Sequence, residues 1–169
     1  MNVRGFGLGA LVAAIGACGV AMPPSEAHPL LGKVPDHRAE VSLDGAAIGF
    51  PEEGHVTVVE VWATWCKPCS GSMRAMQELW EAEQATGVQV IGVAADDNPG
   101  LVSRAVRGNG VTFPNVIDAS GDVRGWLLVR DVPSAVVFDR HGRVRWAKTG
   151  FGEGDAVALR RAVRDLSEE

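Results

Sequence analysis

The sequence predicts an α/β fold, a central mixed sheet flanked by helices, and three observations predict it. Apolar runs over residues 56–63 and 88–95 are each followed by an amphipathic segment, the pattern of parallel strands buried on both faces beneath crossover helices. Two later apolar runs, 135–139 and 144–148, flank Arg140-His141-Gly142-Arg143, the pattern of an antiparallel hairpin. A last amphipathic stretch over 155–166 closes the chain. Alternating elements followed by a hairpin and a helix require both parallel and antiparallel pairs in one sheet.

Residues 1–27 read as an export signal. A single positive side chain, Arg4, precedes an uncharged and mostly apolar stretch over 5–17, and small residues and prolines follow up to His28. Ser25-Glu26-Ala27 offers the small residues needed for cleavage after Ala27. Ala14-Ile15-Gly16-Ala17-Cys18 resembles a bacterial lipobox, which would be cut before Cys18 and leave that cysteine lipidated. An uncleaved anchor is the third option, since residues 5–22 only just reach the ~18 residues of a membrane span. All three export the domain that begins at residue 28 and runs to 169. Membrane attachment follows only from lipidation or from an uncleaved signal.

Residues 29–53 are turn-rich, with short apolar alternations around Asp44-Gly45, and predict an N-terminal extension of one or two short strands. The run over 56–63 predicts a strand, and 69–85 a helix with Met73, Met76, Leu79 and Trp80 on one stripe, stopped by Gly87. After the strand over 88–95, Asn98 as N-cap and Pro99 in the first turn open a helix. Leu101, Val102, Ala105 and Val106 form its apolar face, and Gly108-Asn109-Gly110 ends it. Residues 111–117 predict a short strand, Asp118-Ala119-Ser120-Gly121 a turn, and 122–129 contain a short helix.

The 169 residues, 46% hydrophobic and 22% charged with a net charge of -5, describe one globular domain with a real core. Mild acidity and the lack of any Lys/Arg-rich tract argue against nucleic-acid binding. There are three cysteines, and Cys18 belongs to the signal. Cys66 and Cys69 remain, too close together to staple a fold. Nor do they form a zinc site, which takes four ligands or three plus water: no second cysteine pair exists, and His28, His37, His55 and His141 are scattered. Neither metal nor cofactor is expected.

Cys66-Lys67-Pro68-Cys69 follows a buried strand and opens a helix. Residues i and i+3 share a helical face, so the two thiols can bond with little backbone movement. Unpaired N–H groups at the helix start favour a thiolate on Cys66, and Lys67 adds a cation beside it. Pro68 fits the first turn without losing a hydrogen bond. Cys66 is therefore the expected exposed nucleophile and Cys69 the buried resolving thiol. Alternation along the strand places Val58, Glu60 and Trp62 on one face, where burial would raise the Glu60 pKa. The alternative is a Glu60 that reaches solvent or forms an ion pair.

Trp62-Ala63-Thr64-Trp65-Cys66-Lys67-Pro68-Cys69 resembles the active-site segment of the thioredoxin superfamily. With an export signal and an Asp-Gly-bearing extension, the chain looks more specifically like the TlpA-like branch, which includes ResA- and CcmG-type proteins, over about Pro29 to the C-terminus. The resemblance implies a thioredoxin-like fold with a short N-terminal β extension. It implies that Val132-Pro133-Ser134 is the cis-proline loop that lies against the thiols and offers backbone to an extended substrate. Glu60 stands where thioredoxins carry a buried Asp, which suggests that it accepts the Cys69 proton. Trp65 would shield the nucleophile, and Trp62 would be core. Two departures stand out: where many ResA-type helices carry a Glu and then a Pro, this chain has Ser72 and Arg74. His141 is similar to the distant histidine of copper-handling Sco-type proteins, but it sits in an evident turn. A Pro-x-x-x-Thr-x-x-Cys peroxiredoxin signature is absent.

The resemblance thus implies an exported thiol–disulfide oxidoreductase that reduces disulfide-containing extracytoplasmic proteins. Apocytochrome c maturation is the typical task, with electrons from a membrane donor. Lys67, in place of the Gly of the familiar Trp-Cys-Gly-Pro-Cys loop, favours the thiolate and implies a potential of roughly -270 to -180 mV. Two alternatives stay open: an oxidase or isomerase running the same chemistry in reverse, and a non-catalytic metal-carrying or adaptor module.

Overall fold

The computed structural model describes residues 28–152 and 154–169; the expected signal, with Cys18 and both cleavage points, lies outside them. Among the described residues no helix is long and apolar enough to cross a membrane. A two-stranded antiparallel hairpin, β1 (Arg38–Val41) and β2 (Ala47–Phe50), forms the N-terminal extension around Asp44-Gly45. The main sheet has the order β5-β4-β3-β6-β7. Its strands are β3 (Val56–Trp62), β4 (Val88–Ala94), β5 (Asn115–Ile117), β6 (Ser134–Phe138) and β7 (Val144–Thr149). β3, β4 and β5 run parallel, whereas β6 and β7 pair antiparallel. The expected mixed α/β fold is the fold observed.

The helices are α1 (Cys69–Glu83), α2 (Pro99–Gly108), α3 (Asp122–Leu127) and α4 (Asp155–Ser167). Every residue of β3 is buried, as the continuous apolar run demands, and its side chains divide between two cores. Val58 and Trp62 pack with Met73, Met76 and Leu79 of α1, Val102 of α2 and Leu159 and Val163 of α4. Val59 and Val61 face the other way, toward Phe50, Val123 and Leu127. Both successive parallel crossovers, through α1 and α2, therefore cover one face, as a consistent crossover hand requires.

Local signals held at the helix ends. The Asn98 side chain accepts N–H bonds from Gly100 and Leu101 at 3.0 and 3.1 Å. Gly87 ends the turn after α1 in the left-handed region, at φ 87°, where a Cβ would be strained.

Two expectations need correction. Leu101, assigned to the apolar face of α2, is exposed, and of that face Val102 alone is fully buried. The expected strand over 111–117 shrinks to Asn115–Ile117. The backbone before it has other partners: the Val111 N–H caps α2 on the Val106 carbonyl, the Thr112 N–H goes to Gln77 Oε1 at 2.8 Å, and Pro114 has no N–H.

Candidate active site

Three strand ends converge on the cysteines. Parallel pairing brings the carboxyl ends of β3 and β4 side by side, and the Ala95 N–H donates to the Trp62 carbonyl at 2.7 Å, one step past the strands. β6 runs the other way, with Ser134 opposite Val61. Continuing that register sets Val132 and Pro133 level with the residues just before Cys66. The Val132–Pro133 peptide is cis, as the family resemblance implied; Phe50–Pro51 is also cis, which sequence reading did not anticipate. Pro133 is buried, and its carbonyl is held by the Gly150 N–H at 2.8 Å.

Cys66 and Cys69 form a disulfide with Cα atoms 5.4 Å apart. The helix begins where expected. Pro68 occupies the N-cap position and α1 starts at Cys69, so Cys66 lies on the turn leading into the helix rather than within it. That turn is closed by the Cys66 N–H on the Ala63 carbonyl and the Cys69 N–H on the Cys66 carbonyl, both 3.1 Å. Cys66 still stands at the positive end of the α1 dipole, but it is less open than expected, at 8% exposure against 1% for Cys69. Trp65, by contrast, is 69% exposed. Lys67 is exposed as well, while Trp62 is core and donates its indole N–H to Asn115 Oδ1 at 2.9 Å.

Glu60 takes neither of the bland options. It is 1% exposed, and neither carboxyl oxygen has a hydrogen-bond partner. Its cross-strand neighbours are the small residues Gly92 and Ala135. Burial pushes its carboxyl up to about 8, opposed in part by the nearby Ser72 hydroxyl. In this geometry Ser72 donates instead to the Cys69 carbonyl at 3.0 Å. The Ser72 hydroxyl is thereby tied to the residue that carries the inner sulfur.

His141 is an exposed turn residue whose N–H donates to Asp139, and among the described residues no three His, Cys, Asp or Glu side chains cluster as metal ligands.

Sequence reading missed Asp96. It stands just past the carboxyl end of β4, where open α/β sheets collect functional side chains, and that position was the available signal. Its Oδ2 accepts the Thr64 N–H at 2.9 Å and its Oδ1 the Thr64 hydroxyl at 2.6 Å.

The AhpC/TSA family profile matches residues 32–147. The chain belongs to the AhpC/TSA family. This family member is 30% identical over 115 residues to the thiol-disulfide oxidoreductase ResA of Bacillus anthracis, covering 68% of this chain and 66% of that one. It is 24% identical over 112 residues to sporulation thiol-disulfide oxidoreductase A of Bacillus subtilis (strain 168), covering 64% and 68%. The chain thus spans about two thirds of the length of these curated relatives. A DsbE-designated thiol:disulfide interchange protein from Chlorobium tepidum superposes with a TM-score of 0.76 at 25% identity, covering 81% of this chain and 97% of that one. The thiol–disulfide oxidoreductase class expected from the sequence is the class its relatives are named for, and the disulfide which that class uses is present here.

Proposed function

We propose that this thiol–disulfide oxidoreductase works outside the cytoplasm, reducing disulfides in exported partner proteins. The Cys66 thiolate attacks one sulfur of the partner's disulfide; a Cys66–partner bond forms and one partner thiolate leaves. Cys69 then attacks the Cys66 sulfur, the mixed disulfide breaks, and the second partner thiolate is released. The Cys69 proton passes to Glu60 in its ionised form, which grows as pH approaches 8. Two electrons reach the partner, and the enzyme is left with its Cys66–Cys69 disulfide. A membrane dithiol donor that returns two electrons closes the cycle.

The observation that carries this reading is the disulfide itself, with one sulfur sealed and the other at the rim, in the layer that holds an unpartnered carboxyl. A carboxyl raised to about 8 is, once ionised, a far stronger base than an ordinary glutamate, which suits it to take a thiol proton. The cis Val132–Pro133 loop supports a substrate backbone edge beside Cys66, and exposed Trp65 a contact surface. Lys67 and Pro68 complete the loop. The pattern of residues 1–27 supports export, and the TlpA-like resemblance favours apocytochrome c as the partner.

Trapping tests the proposal. Full-length protein with Cys69→Ala, expressed with export, should accumulate mixed disulfides through Cys66 with folded or haem-accepting exported proteins, and the intact enzyme should reduce the captured partner. Capture confined to newly exported chains that lack disulfides would reverse the direction of electron flow and overturn the reductase reading.

A further inference from the structure

We propose that Asp96 is a positioning residue: through Thr64 its carboxylate fixes the turn that carries Cys66, and so sets how firmly the two cysteines hold their disulfide. The inference rests on the redox reading of Cys66 and Cys69.

The two sulfurs are anchored very differently. Cys69 belongs to α1 and is sealed in the core. Cys66 precedes the helix, on a turn closed by its N–H on the Ala63 carbonyl and by the Cys69 N–H on the Cys66 carbonyl. Trp65, within that turn, is mostly in solvent and packs little. Between the buried Ala63 and Cys66, the polar anchor of the turn is Thr64. Both of its donors, backbone N–H and hydroxyl, go to the two oxygens of one carboxylate. Bonds of this kind, with an ionised acceptor, are roughly twice as strong as neutral ones. Asp96 makes no other side-chain hydrogen bond or ion pair among the described residues. Its own backbone follows β4, whose pairing ends at Ala94, and the bond from the Ala95 N–H to the Trp62 carbonyl just past it.

A clamp of this kind acts on the reduced form. With the disulfide open, a free turn would let Cys66 wander and lower the effective concentration of one thiol at the other. Held by Asp96, Cys66 stays beside Cys69, and ring closure costs less entropy. A more stable disulfide is a lower reduction potential. Each tenfold change in the closure constant shifts the potential by about 30 mV.

The test is equilibration of the full-length chain with glutathione, in which the disulfide and two glutathione thiols exchange for the dithiol and one glutathione disulfide. Alkylation is read on the peptides bearing Cys66 and Cys69, apart from Cys18. Asp96→Ala is expected to lower the closure constant about tenfold, raising the potential by about 30 mV. Thr64→Val keeps the charge of Asp96 and the backbone bond, and should lower the constant about threefold without moving the pH at which Cys66 ionises. Thr64→Ser should restore the wild-type value. The double variant should be no worse than Asp96→Ala alone, since both act through one contact. Variants that melt earlier but keep the wild-type potential at 25 °C would show a purely structural contact and overturn the inference. If the wild type itself fails to equilibrate, it is the redox reading that falls.

Discussion

Glu60→Gln keeps the side chain's volume and removes its proton, so the pH dependence of stability reports directly on that carboxyl. In the unfolded chain the group titrates near 4.5; in the fold burial raises it to about 8. Below 4.5 both states hold the proton. Between 4.5 and 8 the unfolded chain releases it while the fold keeps it, so stability falls as pH rises, by about 1.4 kcal/mol per pH unit. Over a window of about 3.5 pH units the loss reaches roughly 5 kcal/mol, and above 8 it grows no further. A glutamine has no such window. Its buried amide, left without partners, costs about 1–3 kcal/mol at every pH. The variant is therefore expected to be the less stable protein at pH 5 and the more stable one at pH 9. Urea unfolding of the oxidised full-length chain from pH 5 to 9.5 measures this, because other titrating groups cancel in the difference between wild type and variant. A difference that changes by less than about 1 kcal/mol across that range would mean that the carboxylate is ionised in the fold well below pH 8, and the reading of Glu60 as a carboxyl kept neutral by burial would go with it.

Two further outcomes are expected. A Cβ on Gly92 would lie 2.0 Å from Asn115 Oδ1 and 3.1 Å from Trp62 Nε1; Gly92→Ala should break the Trp62–Asn115 bond and cost about 2–4 kcal/mol in urea unfolding, where a loss under about 0.5 would show that Asn115 can move aside. In the reduced protein, iodoacetamide reaction at Cys66 followed against pH should show ionisation below the ~8.5 of free cysteine, and Lys67→Ala should raise it by only a few tenths, because an exposed ammonium is screened. Ionisation at the free-cysteine value would refute the helix-terminus account of the thiolate.

How much of this was legible differs from residue to residue. Period-two alternation is a property of neighbours in the chain, so Glu60 could be assigned to the face of Val58 and Trp62, and the structure places it there, under the first turn of α1. The Asn98-Pro99 start of α2 was readable because a cap bonds within three residues. The limits of the strand over 111–117 were not, because Thr112 is claimed by Gln77, 35 residues away. Cys66 could be named as the outer thiol, but its near-burial depends on what packs around the turn, which no local pattern records.

The sequence by itself determined the α/β class, the order of elements, the cysteine pair and the buried acid, because apolar periodicity, caps and a four-residue motif are short-range signals. Only the tertiary structure decided that Asp96 reaches Thr64 across 32 residues, that Asn115 reaches Trp62 across 53, and that a loop leading into β6 comes level with a turn leaving β3. Those contacts exist because parallel and antiparallel pairing brings distant strand ends to one edge of the sheet, and no pattern of neighbours along the chain encodes which ends will meet.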